Sequence, residues 1–161
     1  MIWAQKGILR MISIKSLEIS KDDALFTIST AARLLGVSVH TLRMYEREGL
    51  VIPLKDKAHR RMYSQTDIER ILMIRSAINA DKISISGLKT CLALIPCWEI
   101  KHCTSTPETC HVFTESLKPC WLVKKQDKQC EDKDCRECEV YIQFSNCKLL
   151  KEKLLALHNK P

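Results

Sequence analysis

Apolar residues recur along this chain at helical spacing, in short blocks opened by a hydroxyl side chain and closed by glycine or proline. The first block puts Ala31, Ala32, Leu34 and Leu35 on a helix that Ser29 or Thr30 can cap, because a side-chain oxygen there satisfies an orphan backbone N–H. Gly36 can take the left-handed conformation that ends such a helix. Ser38 opens a second helix running to Gly49, with Leu42 and the aliphatic part of Tyr45 turned to the core. Two short helices joined by a glycine-containing turn predict a helix-turn-helix.

After Pro53 the stretch Leu54 to Tyr63 is short and basic, and predicts a two-stranded wing carrying Arg60 and Arg61. Ser64-Gln-Thr-Asp67 has the form of a capped helix start, and Ile68, Ile71, Leu72 and Ile78 continue it with a helical period. A fourth helix is expected from Ser84 or Ser86, with Ile85, Leu88, Leu92 and Ile95 on one side until Pro96 ends it. These later helices read as core. Residues 1–10 have no clear period and Met11 is an alternative start; residues 11–25 read as a short strand or an arm. At the other end Leu150, Leu154 and Leu157 share one stripe of a helix over residues 147–158, about 18 Å long at ~1.5 Å per residue.

Charge gives the second helix a function. His40, Arg43 and Arg47 stand at i, i+3 and i+7, so they project from one face. A helix fits the DNA major groove, where arginine can bond guanine O6 and N7. Residues 26–63 hold seven lysines and arginines against three acids, so more than half of the net charge of +7 sits on under a quarter of the 161 residues. Phosphate neutralisation needs it there. A solvated charged face and a plain surface loop are the bland alternatives.

Residue usage then divides the chain. Eight of nine arginines precede residue 90, Arg136 being the exception, whereas all nine cysteines lie at or after Cys91. No uninterrupted apolar stretch has the ~7–15 residues of a signal peptide core, and none reaches the ~18 of a membrane span, so a cytoplasmic protein without membrane contact is expected. In a reducing compartment, dense cysteines point to metal or redox chemistry rather than disulfides. The stretch after Pro96 has few large aliphatic residues and needs cross-links or metal to fold. Cys97, Cys103, Cys110, Cys120, Cys130, Cys135 and Cys138 are the candidate ligands, with Cys135-x-x-Cys138 spaced so that two thiolates reach one ion. Zinc and an iron–sulfur cluster both suit them. Trp98 and Trp121 could shield such a centre or simply pack in a core. His102 and His111 read as bystanders, Cys91 as a buried inert thiol and Cys147 as structural.

These residues together carry a resemblance. Residues 26–95, through GVSVHTLRMYEREGL, RRMYS and TDIERILMIRSAI, resemble the winged-helix DNA-binding domain of the MerR family of transcriptional regulators, and ISISGLK is similar to its heat-shock-repressor-like branch. The resemblance implies a homodimer on double-stranded promoter DNA, with RNA polymerase a further candidate partner. It also implies that Ser38, Thr41, Arg43 and Tyr45 contact DNA from the second helix, and Arg61 and Tyr63 contact the backbone from the wing. With His40, Arg47 and Arg60 from the charge pattern, these nine form the candidate interface. His59-Arg60 replaces the family's usual Gly-Tyr in the wing, and Pro96 with its cysteines falls where many members continue into a dimer-forming helix. These departures bear on the wing turn and on the family's usual dimer interface. Residues 97–141, with Cys97-Trp98 and Cys120-Trp121, resemble the two-CW domain of prokaryotic sensor proteins, which implies ligand or redox sensing.

The expected fold is mainly α: an arm (1–25), a winged helix-turn-helix (26–96), a small cysteine-rich domain stabilised by metal or cluster (97–146) and a terminal helix (147–161). The expected function is a DNA-binding regulator sensing metal, an iron–sulfur centre or redox state; the alternative is a constitutive regulator with structural zinc. A change in cysteine ligation is expected to repack the cysteine-rich half against the helix beginning at Ser84. A thiol oxidoreductase using Cys135 and Cys138 is the third reading, and no glycine-rich phosphate loop or Ser/His/Asp set supports an enzyme.

Overall fold

The computed structural model of the chain describes residues 20–101, 107–114, 117–123, 134–143, 151–152 and 155–156. It opens with strand β1 (Phe26–Thr27) and helix α1 (Ile28–Leu35). Thr27 caps α1, its side chain accepting the Thr30 N–H at 3.3 Å, so the cap lies two residues before the earlier of the two expected positions. The cause is tertiary. Phe26 and Thr27 pair antiparallel with Tyr63 and Met62, which holds Thr27 extended at the helix entrance. The expected two-stranded wing is thereby a three-stranded sheet of order β1-β3-β2, with β2 at Leu54–Lys55 and β3 at Arg61–Tyr63. Gly36, at φ 61°, ends α1 in the left-handed conformation as expected.

Helix α2 (Val39–Arg47) starts from Ser38 as expected, and Gly49 lies two residues beyond its end at φ 71°. Helix α3 (Gln65–Asn79) begins with a complete capping box. The Ser64 oxygen accepts the Asp67 N–H at 3.1 Å, and Asp67 accepts the Ser64 N–H at 2.9 Å. Helix α4 (Ile85–Ala93) is capped by Ser84. Leu72, expected on the apolar side of α3, is exposed, while Asp67 and Arg70 are buried with Ile71, Ile74 and Ala77.

The wing turn is built by Asp56. Its carboxylate accepts the backbone N–H groups of Ala58 and Arg60, both at 2.9 Å, and pairs with the Arg60 guanidinium at 2.8 Å. The turn places His59 at φ 57°, the region glycine occupies without a side-chain clash. His59→Gly is therefore expected to stabilise the fold by about 0.5–1 kcal/mol, read as a rise of ~2–4 °C in Tm.

Past Pro96 come α5 (Cys97–Lys101), a 3-10 turn (Pro107–Thr109), α6 (His111–Thr114), α7 (Cys120–Val123), a second 3-10 turn (Cys135–Glu137) and α8 (Glu139–Gln143). This half does not keep its apolar residues to itself. Ile100, Trp121, Val140 and Tyr141 join Leu42, Tyr45, Leu50, Ile71, Leu88 and Ile95 in one hydrophobic cluster. Packing on the N-terminal unit thus supplies stability that the sequence reading assigned to cross-links or metal. Residues 151–152 and 155–156 of the expected last helix are helical, while Leu150, Leu154, Leu157 and Cys147 lie outside the described residues. Cys91, expected as an inert thiol, is half-buried and disulfide-bonded. Among the described residues no helix is long and apolar enough to cross a membrane.

Candidate nucleic-acid interface

Helix α2 is amphipathic in the way a groove-reading helix must be. Leu42 and Tyr45 anchor it in the core, while His40, Arg43 and Arg47 are exposed on its outer side. At its start the Ser38 hydroxyl accepts the Thr41 N–H at 3.0 Å and lies 2.9 Å from the Thr41 hydroxyl. Both hydroxyls are occupied in shaping the helix entrance. Arg47 in the last turn also complements the negative end of the helix dipole.

Two ion pairs fix α2 against its neighbours. Arg61 on β3 pairs with Glu46, tying wing to helix, and that contact holds the Arg61 guanidinium above its ordinary pKa. Lys89 on α4 meets Glu48 at 2.8 Å, and this hydrogen bond draws the Glu48 carboxyl below the usual carboxylate range. Lys57, His59 and Arg60 stand exposed at the wing tip. The structure brings His40, Arg43, Arg47 and Arg60 to the surface and leaves Ser38 exposed, with Thr41 and Arg61 partly covered.

The rings of both expected tyrosine contacts pack in the core, Tyr45 being 5% exposed and Tyr63 0%. The Tyr63 hydroxyl is buried without a hydrogen-bond partner among the described residues, and burial pushes its pKa up to about 12. A phenol so placed cannot reach a phosphate. Tyr63→Phe is expected to leave DNA affinity within twofold of the wild type and stability within ~1 kcal/mol or slightly raised, since it removes an unsatisfied polar group. Anisotropy titration and urea unfolding check both.

The sequence reading missed a polar network that joins the two halves. Asp67, 2% exposed, receives both arms of the Arg136 guanidinium at 2.8 and 3.0 Å. Arg70, 4% exposed, donates to the carbonyls of Leu50 at 2.8 Å and Tyr141 at 2.6 Å. Its guanidinium lies 4.0 Å from the Tyr141 ring centroid and 5.6 Å from that of Trp121, and those two rings meet edge-on at 5.2 Å. Burial draws the Arg70 pKa down and pushes that of Tyr141 up, each opposed by the other's charge. Trp121 Nε1–H donates to Gly49 O at 2.6 Å, Tyr141 Oη accepts the Ile52 N–H at 2.8 Å, and Arg136 also donates to Ile52 O. A signal existed in the sequence. Asp67 and Arg70 fall on the same helical stripe as Ile71, Ile74 and Ala77, where charge is costly unless paired.

Of the seven candidate ligands, Cys97, Cys110, Cys120, Cys135 and Cys138 are described and each is partly buried; Cys103 and Cys130 lie outside the described residues. The Cys138 N–H donates to Cys135 O at 3.2 Å, closing a tight turn of the kind that presents two thiolates to one ion. Two thiolates at this spacing would make half of a tetrahedral shell. Among the described residues no group of three or more His, Cys, Asp or Glu side chains is gathered as a metal site. Trp121 is a core residue, whereas Trp98 is partly exposed and packs edge-on against Phe113 at 5.4 Å. His111 is exposed at the start of α6, and His102 lies outside the described residues.

Residues 26–94 match the family model described as MerR HTH family regulatory protein. A protein of Haemophilus influenzae named a probable heavy metal-dependent transcriptional regulator is 31% identical over 123 residues, covering 69% of this chain and 92% of that protein. A Streptomyces coelicolor protein provisionally named heat shock protein HspR is 35% identical over 77 residues, or 48% of this chain and 51% of its own length. The Haemophilus influenzae ZntR homolog is 37% identical over 68 residues, 42% of this chain and 50% of that protein. The chain thus spans about half the length of the HspR and ZntR-like relatives and nearly all of the first.

Proposed function

The chain belongs to the MerR family of HTH regulatory proteins, and from that premise we propose that it binds promoter DNA as a homodimer and regulates transcription. Helix α2 enters the major groove with His40, Arg43 and Arg47 toward base edges, while Lys57, Arg60 and Arg61 of the wing meet phosphates. Ser38 and Thr41 shape the helix entrance beside the backbone. The observation that carries this reading is the exposed basic stripe of α2, with the wing held beside it by the Arg61–Glu46 pair. In the same reading the cysteine-rich half reports metal, an iron–sulfur centre or thiol redox state, with Cys135 and Cys138 among the ligands and Cys97, Cys103, Cys110, Cys120 and Cys130 supplying the rest. The name of the heavy metal-dependent relative supports a metal.

Salt dependence tests DNA binding. With five exposed lysines and arginines per protomer on α2 and the wing (Arg43, Arg47, Lys55, Lys57, Arg60), log K for a duplex selected from a random pool should fall against log salt with a slope steeper than about −4. A salt-independent affinity would remove the reading. The shared hydrophobic core favours a second reading, in which zinc is purely structural and binding is constitutive. Metal and sulfide analysis after anaerobic purification separates the two. A brown protein whose DNA affinity changes on metal removal supports sensing; a colourless one that merely loses its C-terminal structure supports the alternative.

A further inference from the structure

The segment Gly49–Ile52 connects the end of α2 to the start of the wing, so its path sets how recognition helix and wing face one duplex. Side chains from elsewhere hold four of its backbone polar groups. Trp121 takes Gly49 O, Arg70 takes Leu50 O, Tyr141 takes the Ile52 N–H and Arg136 takes Ile52 O. Three of these four come from the cysteine-rich half, two directly after a cysteine and the third one turn beyond. Trp121 follows Cys120, Arg136 follows Cys135, and the Tyr141 N–H bonds Cys138 O at 2.9 Å within a single turn.

We propose that Trp121, Arg136 and Tyr141 are positioning residues that carry the bonding state of Cys120, Cys135 and Cys138 to the 49–52 segment, and so set the angle between recognition helix and wing. The inference deepens the DNA-binding, cysteine-sensing reading and rests on it. Its route runs beside the sequence expectation of a repacking against α4: the Cys91 disulfide also ties that helix to the cysteines after Pro96, while the polar contacts described run to α3 and to the connection between α2 and β2. A sulfur that changes partner shifts its own backbone, and the next residue is already bonded to the connection. Close packing makes such contacts switch between arrangements rather than stretch. Gly49 adds sensitivity. A Cβ there would lie 2.5 Å from Leu122, so α7 sits directly on the residue that turns the chain away from α2. Arg70 Nη2, buried and unpartnered among the described residues, is a donor that a second arrangement can satisfy.

The test is a thermodynamic cycle on the full chain, using a duplex it selects from a random pool. C120S/C135S is expected to change Kd at least tenfold in the wild-type background. In W121F/Y141F, which removes the indole N–H and the phenol hydroxyl from the grip along with part of the indole's packing volume, the same cysteine change should alter Kd less than twofold. A tenfold response that persists in folded W121F/Y141F overturns the proposed route while leaving sensing intact. No response in the wild type, with DNA still bound, overturns the coupling and leaves DNA reading in place; absence of any specific binding overturns the underlying reading itself. Amide exchange gives a readout that needs no altered grip. The Ile52 N–H should exchange at least tenfold faster in C120S/C135S than in wild type, and unchanged protection overturns the proposal.

Discussion

Asp67→Ala is expected to destabilise the protein by about 3–5 kcal/mol, measured as a shift in the urea midpoint, because one carboxylate answers three needs. It caps α3 through the Ser64 N–H at 2.9 Å, accepts the Ser64 hydroxyl at 3.1 Å, and binds Arg136 through both oxygens. Losing the cap alone costs on the order of 1 kcal/mol. The larger share comes from Arg136, whose side chain is 12% exposed and would keep its charge with no carboxylate opposite. Solvent screening offers little relief at that burial. An orphaned cation leaves a signature that simple loss of packing lacks. Adding Arg136→Gln to Asp67→Ala should restore part of the loss, since the orphaned cation is then gone, giving a coupling energy of about 1–3 kcal/mol. Strict additivity of the two substitutions would show that the pair is incidental.

Much of this fold is legible because its local signals agree with one another. Gly36, Ser38, Ser64 with Asp67, and Ser84 sit at helix boundaries where backbone groups need partners, and each is used as expected. The pattern fails where tertiary contacts outrank local ones. Phe26 and Thr27 form a strand too short for alternation to reveal, and their pairing with β3 moves the first cap to Thr27. Tyr45 and Tyr63 look like contact residues by family resemblance, but a tyrosine on a small domain offers more by filling the core, and both are buried. The hidden part of the site is Arg70 and its partners. Arginine in an apolar stripe announces a partner without naming it. Arg136 and Tyr141 lie 66 and 71 residues further along, a separation that no helical or strand period bridges. Arg136 stands out in the sequence only as the one arginine of the cysteine-rich half, whereas its guanidinium is committed to Asp67 and Ile52.

Replacing Arg43 and Arg47 by alanine is expected to weaken specific DNA binding by about 1–3 kcal/mol for each arginine that reads a base, so that a double variant losing two base contacts weakens between about 30-fold and about 20,000-fold in Kd. Both side chains are exposed on α2 and, among the described residues, neither enters the ion pairs or hydrogen bonds that hold the fold, so the melting temperature should hardly move. That separation of affinity from stability is what distinguishes a reading surface from a solvated face. The two roles an arginine can play on DNA leave different traces. If Arg43 bonds a guanine edge, Arg43→Ala should relax the preference at one position of the selected duplex. A phosphate contact at Arg47 would instead weaken all sequences alike and reduce the salt slope by about 1. Lys57→Ala at the wing tip serves as the internal standard, with a uniform, salt-dependent loss and no change in preferred sequence. A double variant that binds its duplex as tightly as wild type would move the interface off α2 altogether, since no other described helix of the N-terminal unit pairs a core-anchored face with an exposed basic one.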